Sequence, residues 1–324
     1  MTQDEDERLD VLCFGEVIVD FFPEERGIAI VDAERFVRHA GGAPANMATG
    51  VARLGRRAGL MTLVGNDDFG KFLVGRLQAE GVDTRPIGIH PTARTGITFV
   101  AVSATGERSF TFYRHPSADQ LVGEEHVDPA HIARTRVFHW GSSTLAREPC
   151  RAATGKALAA ARAAGCVISS DPNLRPHLWH DPAEARELLQ RGLAHTDVVK
   201  LSDEELEPIA GTRDPVAGAR AVRALGPSLV IVTLGPRGCY YDGAGAGQGE
   251  LPGEQVEVID TTGAGDGFVA GLLAALAPAF ERGVRPGQLA ESDVRSACAF
   301  ANRVAARVVT RFGATAALPR REDL

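Results

Sequence analysis

Asp260-Thr-Thr-Gly-Ala-Gly-Asp266 carries more structural information than any other stretch of this chain. It stands between the strand-like segment Gln255–Ile259 and the apolar run Phe268–Leu276. A strand that turns through small residues into a helix leaves backbone N–H groups unpaired and pointing outward, which makes a site for an anion. Asp266 lies at this turn, and its carboxylate would repel a bound phosphate unless it takes a proton from a nucleophile. The stretch therefore predicts phosphoryl transfer, with Asp266 as the general base.

The amides that would form the anion hole are those of Gly263, Ala264 and Gly265. A simpler interpretation stays open, in which the two glycines only permit a tight turn and Asp266 only caps the helix, a common position for aspartate. Periodicity predicts the helix itself, since one face carries the apolar residues Phe268, Val269, Leu272, Leu273 and Leu276.

Two motifs resemble the signatures of a known family, the ribokinase-like (PfkB) sugar kinases. The segment DTTGAGDGFVAG, which begins at Asp260, is similar to the C-terminal signature, and Gly41-Gly-Ala-Pro-Ala-Asn46, followed by MATGVARLG, is similar to the second. The resemblance covers nearly the whole chain. It implies one kinase domain over residues 1–324, with a sugar and ATP as small-molecule partners and Mg²⁺ as cofactor.

Composition excludes some other classes of function. The chain has 324 residues, a net charge of −7 and no extended basic run, which argues against nucleic acid or an anionic membrane as partner. The start, Met1–Asp10, is acidic and lacks an apolar segment, and no apolar run has the length of a membrane span. Five cysteines, odd in number and without Cys-x-x-Cys spacing, predict free buried thiols in a reducing cytoplasm.

The pattern of apolar segments predicts the fold. Strands are expected at Val11–Gly15, Leu60–Val64, Val137–Trp140, Val167–Ser170, Val198–Leu201 and Leu229–Thr233. Ala/Leu/Arg-rich stretches between several of them, such as Pro149–Ala164 and Pro182–Ala194, predict helices. This alternation predicts an α/β fold, a doubly wound, mainly parallel sheet with helices on both faces, whose ligands gather at the carboxyl ends of the strands.

One region breaks the alternation. The segments Thr95–Val102 and Arg108–Tyr113, joined by the Gly-containing connection Ser103–Glu107, alternate like an antiparallel hairpin. With Phe21–Val37 they would form a small separate β-sheet. The resemblance implies a β lid over the sugar site, built from about residues 21–38 and 95–115 and shared in a homodimer, although exposed hairpins also occur without that role.

Four residues are candidates for binding the sugar. Asp20 lies five residues after Gly15, at the end of the first predicted strand, and a carboxylate can accept hydrogen bonds from two hydroxyl groups. A solvated aspartate is the simpler alternative. The resemblance implies a sugar-binding role for Asp20, and likewise for Gly41, Gly42 and Asn46, which could otherwise form a plain loop-to-helix turn.

Two arginines bear on the identity of the substrate. Arg175, in the segment Ser170–Trp179 after a predicted strand, could bind the transferring phosphate or form a surface salt bridge. Asp171 and Asn173, in the same segment, could fix the loop or the sugar. Arg114 lies in Phe112-Tyr-Arg-His-Pro-Ser-Ala-Asp119, which resembles a segment of fructokinases. Either arginine could instead meet the carboxylate of a keto acid, so that a 2-keto-3-deoxygluconate kinase stays open as an alternative.

The resemblance also supplies a nucleotide site. Lys200-Leu-Ser-Asp-Glu-Glu205 resembles the family's Asn-x-x-Glu element, with Ser202 where many relatives carry Asn. Glu205 would organise water around Mg²⁺, or would only begin a helix with an acidic turn. The segment Thr233–Gly238 matches the nucleotide loop through Thr233, Gly235 and Gly238, and Asn302 falls where the family approaches the adenine.

Some relatives bind a monovalent cation through backbone carbonyls beside the anion hole. The matching positions form a candidate K⁺ site at Asp260, Thr262, Val308 and Gly313. Ala317 stands where ribokinase has a serine, which weakens this expectation.

Taken together, the motifs predict an ATP-dependent sugar kinase, a fructokinase that makes fructose 6-phosphate in the cytoplasm. A relative that binds sugar or nucleotide without catalysis is the alternative of another class. Such a protein would be expected to lose the base or the anion-hole glycines, and Gly263, Gly265 and Asp266 are all present.

Overall fold

The structure is a computed structural model that describes residues 8–25, 27–102 and 108–324. The first seven residues of the acidic start and the connection Ser103–Glu107 lie outside the described residues.

The described residues form thirteen β-strands and ten α-helices. The strands are β1 (Leu9–Phe14), β2 (Ile18–Pro23), β3 (Phe36–Gly41), β4 (Ala58–Gly65), β5 (Ile87–His90), β6 (Ile97–Val102), β7 (Arg108–Tyr113), β8 (Thr135–Trp140), β9 (Val167–Ser170), β10 (Val198–Ser202), β11 (Leu229–Thr233), β12 (Cys239–Gly243) and β13 (Gly247–Leu251). The helices are α1 (Ala43–Arg53), α2 (Asp68–Ala79), α3 (Pro129–Ala133), α4 (Cys150–Ala163), α5 (Pro182–Leu193), α6 (Asp203–Ala210), α7 (Pro215–Arg223), α8 (Ala264–Glu281), α9 (Glu291–Val309) and α10 (Ala314–Ala317).

Nine strands make the main sheet, in the order β13-β12-β11-β10-β9-β8-β1-β4-β5. From β5 to β11 neighbouring strands are parallel, and β12 and β13 add an antiparallel edge. All six strands expected from the sequence belong to this sheet. The prediction of a doubly wound, mainly parallel α/β fold is therefore confirmed.

Alternate residues of the main strands enter two separate hydrophobic cores. In β1, Val11 and Cys13 pack in the core that includes α1, α2, α8 and α9, whereas Leu12 and Phe14 pack in the core that includes α3 to α7. Both faces of the sheet are covered, which explains why these strands are continuous apolar runs. The five cysteines are free and buried, as expected.

A second sheet of four strands has the order β3-β2-β6-β7. The predicted hairpin is present as the antiparallel pair β6 and β7, and β2 pairs in parallel with β6. The strands extend beyond the expected segments, because β2 begins at Ile18 and β3 continues to Gly41. Asp20 therefore belongs to the small sheet, and its expected place at the end of the first main-sheet strand is wrong.

The segment Gln255–Ile259 is not a strand, contrary to the sequence prediction. Its alternating pattern resembles one, but the amides of Ile259 and Asp260 both donate to the carbonyl of Val309 at the end of α9. The segment before the turn into α8 is therefore irregular, and the end of α9 holds its last residues in place.

Helix α8 packs tightly between its neighbours. A Cβ added at Gly271 would lie 2.9 Å from Val304 Cγ2 and 3.0 Å from Ala301 Cα in α9, and one added at Gly50 in α1 would lie 2.7 Å from Ala270 Cβ. By length and composition α8 could cross a membrane, but 72% of it is buried within the protein. Its apolar composition is explained by these helix contacts, which hold the start of α8 in place.

Gly271→Ala should lower the free energy of unfolding by about 1–3 kcal/mol, because the new methyl group forces α8 and α9 apart. Gly75→Ala is the matched control, since a Cβ there meets nothing within 4 Å and alanine favours a helix by up to about 1 kcal/mol. Urea unfolding of both variants measures the difference. A Gly271→Ala protein as stable as the Gly75→Ala protein would contradict the close packing.

Candidate active site

The turn before α8 is shaped for an anion. Gly263 has φ +79°, a left-handed conformation that favours glycine, and an added Cβ would lie 3.0 Å from Ala314 Cα. Among the described residues, the N–H groups of Gly263 and Gly265 have no hydrogen-bond partner, whereas the N–H of Ala264 donates to Thr261 over 3.3 Å. Two of the three amides expected in the anion hole are available, and the third makes a long hydrogen bond.

The Asp266 carboxylate is buried and is held by a neighbouring helix. Asn46 Nδ2, in α1, donates to Asp266 Oδ2 over 2.8 Å. The Oδ1 atom of Asn46 accepts a hydrogen bond of 2.5 Å from the hydroxyl of Thr315 in α10. No side chain caps the start of α8 in the part of the chain that the structure describes. The geometry therefore favours a chemical role for Asp266 over a cap, and it leaves Oδ1 of Asp266 for a substrate.

Burial raises the pKa of Asp266 to about 6, and the neighbouring Asp171 carboxylate acts in the same direction. The hydrogen bond from Asn46 and the positive charges of Lys200 and Arg175 oppose this rise. A carboxylate with this pKa is ionised at neutral pH and still binds a proton far more readily than an ordinary aspartate. This property suits a general base.

Lys200 places a positive charge beside the anion-hole turn. It is buried at β10, and its Nζ donates to Asp171 Oδ2 over 3.0 Å. A Cβ added at Gly265 would lie 3.1 Å from the same Nζ. Burial disfavours the charged ammonium, but Asp171 and Glu205 raise the pKa of Lys200. Lys200 therefore stays charged where a phosphate would meet the turn.

Glu205 holds the loop that follows β9. Its Oε1 accepts from the N–H of Leu174 over 2.7 Å, and its Oε2 accepts from the N–H and the hydroxyl of Ser202 over 2.8 and 3.0 Å. The hydrogen bond from the N–H of Ser202 to Glu205 is the half of a capping box that the glutamate supplies at the start of α6. The same loop carries Asn173, whose φ of +45° is rare outside glycine and whose N–H donates to Asp171 Oδ1 over 3.2 Å. Glu205 thus has a definite structural role besides any role near a metal.

Arg175 follows in this loop and is exposed. Within the described residues it makes no ion pair, so the surface salt bridge that the sequence left open is not formed there. Its charge lowers the pKa of Asp266, which places it near the base. The position is compatible with a contact to the transferring phosphate.

On the sugar side, glycines let the chain approach a carboxylate and a backbone carbonyl group closely. A Cβ at Gly41 would overlap Asp20 Oδ2, and one at Gly42, which has φ +99°, would lie 2.6 Å from the carbonyl oxygen of Glu16. Burial raises the pKa of the Asp20 carboxyl to about 7, with Arg114 opposing and Glu16 reinforcing the shift. Both glycines are therefore required by close approach.

Arg114 follows β7 and is surrounded by carboxylates. Its guanidinium pairs with Asp119, which also accepts a hydrogen bond of 2.6 Å from the Ser117 hydroxyl. Burial disfavours the charge of Arg114, but Asp119, Glu16 and Asp20 raise its pKa. Its Nε is buried and lacks a partner among the described residues. Its charge is thus already paired through Nη2 before a substrate arrives, while Nε still lacks an acceptor within the described part of the chain.

The expected nucleotide residues lie at the ends of β10 and β11 and along α9. The Thr233 hydroxyl donates to the Leu201 carbonyl over 3.2 Å, and the loop after it turns through Gly235 and Gly238, both with positive φ. Asn302 is buried, and its Nδ2 donates to the Pro252 carbonyl over 3.1 Å. The Oδ1 atom of Asn302 is left to approach the adenine of a nucleotide.

Asp260 organises the candidate K⁺ site. Its Oδ1 accepts from the N–H and the hydroxyl of Thr262 over 2.9 and 2.6 Å, and its Oδ2 accepts from the N–H of Gly313 over 2.9 Å. The carbonyl of Val308 accepts a hydrogen bond of 3.2 Å from Arg311. The carboxylate thus joins the two segments whose carbonyls the resemblance implies as ligands.

These contacts bring the candidate residues into three adjoining groups. The base and anion-hole group meets the sugar group through α1, where Asn46 lies one turn after Gly42. It meets the nucleotide group through Lys200 and Glu205. Asp171, Ser202 and Thr233 lie at or directly after the carboxyl ends of the adjacent strands β9, β10 and β11.

Two further residues of the site were missed by the sequence analysis. Glu16 accepts from the Ser143 hydroxyl over 2.5 Å. It follows a parallel main-sheet strand, a position that could have identified it from sequence. Thr315 carries no local signal, because its partner Asn46 is 269 residues away.

Comparison with known proteins gives the class of this protein. The model of the pfkB family carbohydrate kinases matches residues 8–321. Fructokinase-1 of Oryza sativa subsp. japonica is 40% identical over 312 residues, which is 95% of this chain and 94% of that protein. The chain therefore belongs to the pfkB family of carbohydrate kinases.

Solved structures agree over the full length. Fructokinase from Vibrio cholerae O395 in a form with fructose, ADP and calcium ion bound has a TM-score of 0.85 and 34% identity, covering 98% of each chain. A double mutant of that enzyme has fructose, ADP and potassium ion bound, with TM-score 0.85, 34% identity and coverage of 98% of this chain and 97% of that one. Aminoimidazole riboside kinase from Salmonella enterica, with TM-score 0.83 and 31% identity, covers 97% of each chain, so the fold alone does not select the sugar.

The rate of phosphoryl transfer should depend on pH through Asp266. Its pKa is raised to about 6, and only the ionised form accepts a proton, so kcat should be constant above about pH 7 and fall as the pH drops through 6. Asp20, with a pKa raised to about 7, should be ionised to accept two hydroxyl hydrogen bonds, so the KM for the sugar should rise below about pH 7.

Steady-state kinetics between about pH 5 and 9 measure both acid limbs, which are the fall of kcat and the rise of KM at low pH. Asp20→Asn is the control, because it should abolish the rise of KM at low pH and keep the fall of kcat. An acid limb of kcat near the value of an ordinary aspartate, about pH 4, would contradict the assignment to the buried Asp266.

Proposed function

We propose that the protein is an ATP-dependent fructokinase that transfers the γ-phosphoryl group of ATP to the 6-hydroxyl of fructose. The observation that carries the proposal is the buried Asp266 carboxylate, bound to Asn46 beside an amide-lined turn and a charged Lys200. The fructokinase names of the relatives and the fructose and ADP in the Vibrio cholerae structure support the choice of sugar.

Each group has a distinct part in the reaction. Asp20, Gly41 and Gly42 would orient the sugar, and Asp266 Oδ1 would take the proton as the 6-oxygen attacks the γ-phosphorus. The bond from that phosphorus to the bridging oxygen of ADP breaks. The amides of Gly263 and Gly265 and the Lys200 ammonium would stabilise the charge on the transferring group. Positioning and fixed charges would supply most of the rate.

Magnesium fits the acidic residues near the nucleotide site. The described residues contain no cluster of three or more His, Cys, Asp or Glu that could hold a metal, and Mg²⁺ is commonly held by phosphate oxygens, water and few protein groups. Glu205 accepts three hydrogen bonds, and a carboxylate has about four lone-pair positions. One position is left for a water of the ion. When bound, Mg²⁺ would neutralise charge on the nucleotide phosphates.

A potassium ion is a finer part of the proposal. The Asp260 carboxylate holds the Thr262 and Gly313 segments together, and the Vibrio cholerae double mutant is in a potassium-bound form. The carbonyls of Asp260, Thr262, Val308 and Gly313 would be the ligands. A cation there would reinforce the positive end of α8.

The keto-acid kinase is the less favoured alternative. Its substrate needs a positive charge for the carboxylate, and Arg114 is already paired with Asp119 and lies near Glu16 and Asp20. A substrate carboxylate at Arg114 would therefore meet three carboxylates. Arg175 is the other arginine that could bind it, and the substrate panel described below decides between the two sugars. A binding protein without catalysis is disfavoured because the base, the two anion-hole glycines and Lys200 are assembled together.

The one-domain arrangement, the lid role of the small sheet and the homodimer through it stay predictions. Partly exposed apolar side chains on that sheet, Val37, Phe110 and Tyr113, are compatible with a partner chain, and the molar mass in solution would decide. The cytoplasmic location also stays a prediction, supported by five free buried thiols.

Asp266→Asn should lower kcat with fructose by about 10²–10⁴, or roughly 3–5 kcal/mol at the barrier. The neutral side chain fits a buried place that already disfavours charge, so folding should be retained. Asp68→Asn, an exposed position in α2, is the matched control and should keep full activity.

The assay measures ADP release with fructose, ribose and 2-keto-3-deoxygluconate. Turnover of the keto acid without fructose would replace the proposal by its alternative, and no turnover of any sugar would favour a binding protein. Near-normal turnover of Asp266→Asn would remove Asp266 from the role of base.

Removal of cations tests the metal assignments separately. EDTA should abolish turnover, because the nucleotide phosphates keep their full charge without Mg²⁺. Replacement of K⁺ by tetramethylammonium at constant ionic strength should lower kcat while leaving some activity. Turnover that is unchanged by EDTA would overturn the magnesium assignment, and turnover that is unchanged by the second exchange would overturn the potassium assignment.

A further inference from the structure

Thr315 contacts the group that holds the candidate base. Its hydroxyl lies 2.5 Å from Asn46 Oδ1 and 2.7 Å from the carbonyl oxygen of Ala40 in β3. Asn46 in turn binds Asp266 through Nδ2. A chain of two hydrogen bonds therefore leads from α10 to the Asp266 carboxylate.

The position of the hydroxyl proton follows from the distances. A hydroxyl group has one hydrogen to donate, and of the two oxygen atoms near it Asn46 Oδ1 is closer, at 2.5 Å against 2.7 Å for the carbonyl oxygen of Ala40. The proton therefore lies toward Asn46 Oδ1. Ionised Asp266 can only accept, so it requires the amide NH₂ of Asn46. The orientation of the amide is thus set from both of its ends.

Thr315 is itself held firmly in place. Arg53 in α1 donates through Nη1 to the carbonyl oxygens of Thr315 and Leu318 over 2.8 and 2.7 Å, and it forms a two-bond pair with Glu80. At the start of α10, the N–H of Gly313 is bound by Asp260. These contacts fix the backbone of Thr315 relative to α1 and the anion-hole turn.

We propose that Thr315 is a positioning residue, which keeps the Asn46 amide turned so that Nδ2 faces Asp266. This inference rests on the proposed role of Asp266 as base. Without the hydroxyl, the amide gains the freedom to turn its oxygen toward the carboxylate. The carboxylate then loses a donor and meets a negative partial charge, so the pKa of Asp266 rises.

The test compares three variants in the full-length protein. Thr315→Val removes the hydroxyl at nearly constant shape, and Thr315→Ser keeps it. Thr62→Val is the matched control, because the Thr62 hydroxyl in β4 is also buried but has no partner among the described residues.

In Thr315→Val the acid limb of kcat should move upward by about half to one pH unit. The resulting loss of kcat should be roughly two- to five-fold at pH 6 and small at pH 8, since one unit changes the ionised fraction tenfold at most. Thr315→Ser and Thr62→Val should keep the wild-type limb. An unchanged limb in Thr315→Val, or an equal loss at both pH values, would overturn the proposal.

A second readout does not depend on turnover. Carbon-13 NMR of aspartate-labelled protein follows the titration of Asp266, whose signal is identified by its absence in Asp266→Asn. The pKa should be higher in Thr315→Val than in the wild type and unchanged in Thr315→Ser. If the wild type turns over no sugar, the proposed function fails, whereas an equal pKa in the valine variant and the wild type overturns the positioning role alone. Thermal unfolding of each variant shows whether a loss comes from misfolding. If Thr315→Val misfolds, Thr315→Ala, which also lacks the hydroxyl, replaces it with the same expected rise in the pKa of Asp266.

Discussion

Asn46 donates a hydrogen bond to the buried carboxylate of Asp266, and the rest of the site depends on this interaction. Burial raises the pKa of Asp266 toward neutrality, which makes the group a better base and also favours its neutral form. A single fixed donor limits that rise and holds one carboxylate oxygen. The other oxygen is left for a hydroxyl group.

The fold places the two residues together through helix packing. Small residues such as Gly50 and Gly271 let α1 and α9 approach α8 closely, so that α1 carries Asn46 to the first turn of α8. The same turn exposes the amides of Gly263 and Gly265 beside Lys200. A base, an anion hole and a positive charge therefore meet at one helix start, and they serve one kind of reaction, the transfer of a phosphoryl group to an alcohol.

Much of this arrangement was predictable from sequence, because its signals are local. Strands such as Val167–Ser170 and Leu229–Thr233 are short apolar runs, and α8 has a clear apolar face. Local patterns also mislead. Gln255–Ile259 alternates like a strand, but a strand needs a partner, and its end binds the last turn of α9 instead.

Contacts between distant segments could not be predicted in this way. Arg114 is a candidate for a substrate contact, and only the folded chain shows that it also pairs with Asp119 through Nη2. Glu205 was assigned to magnesium water, whereas three of its lone-pair positions hold backbone and hydroxyl groups. Thr315 gave no signal because its partner Asn46 is 269 residues away in the sequence.

The most direct test of the account is a crystal structure of the protein with fructose and a non-hydrolysable ATP analogue. The 6-oxygen of fructose should lie within about 2.6–3.2 Å of Asp266 Oδ1. The terminal phosphate should lie against the amides of Gly263 and Gly265. A fructose molecule bound in the crevice with its 6-oxygen directed away from Asp266 would contradict the central claim.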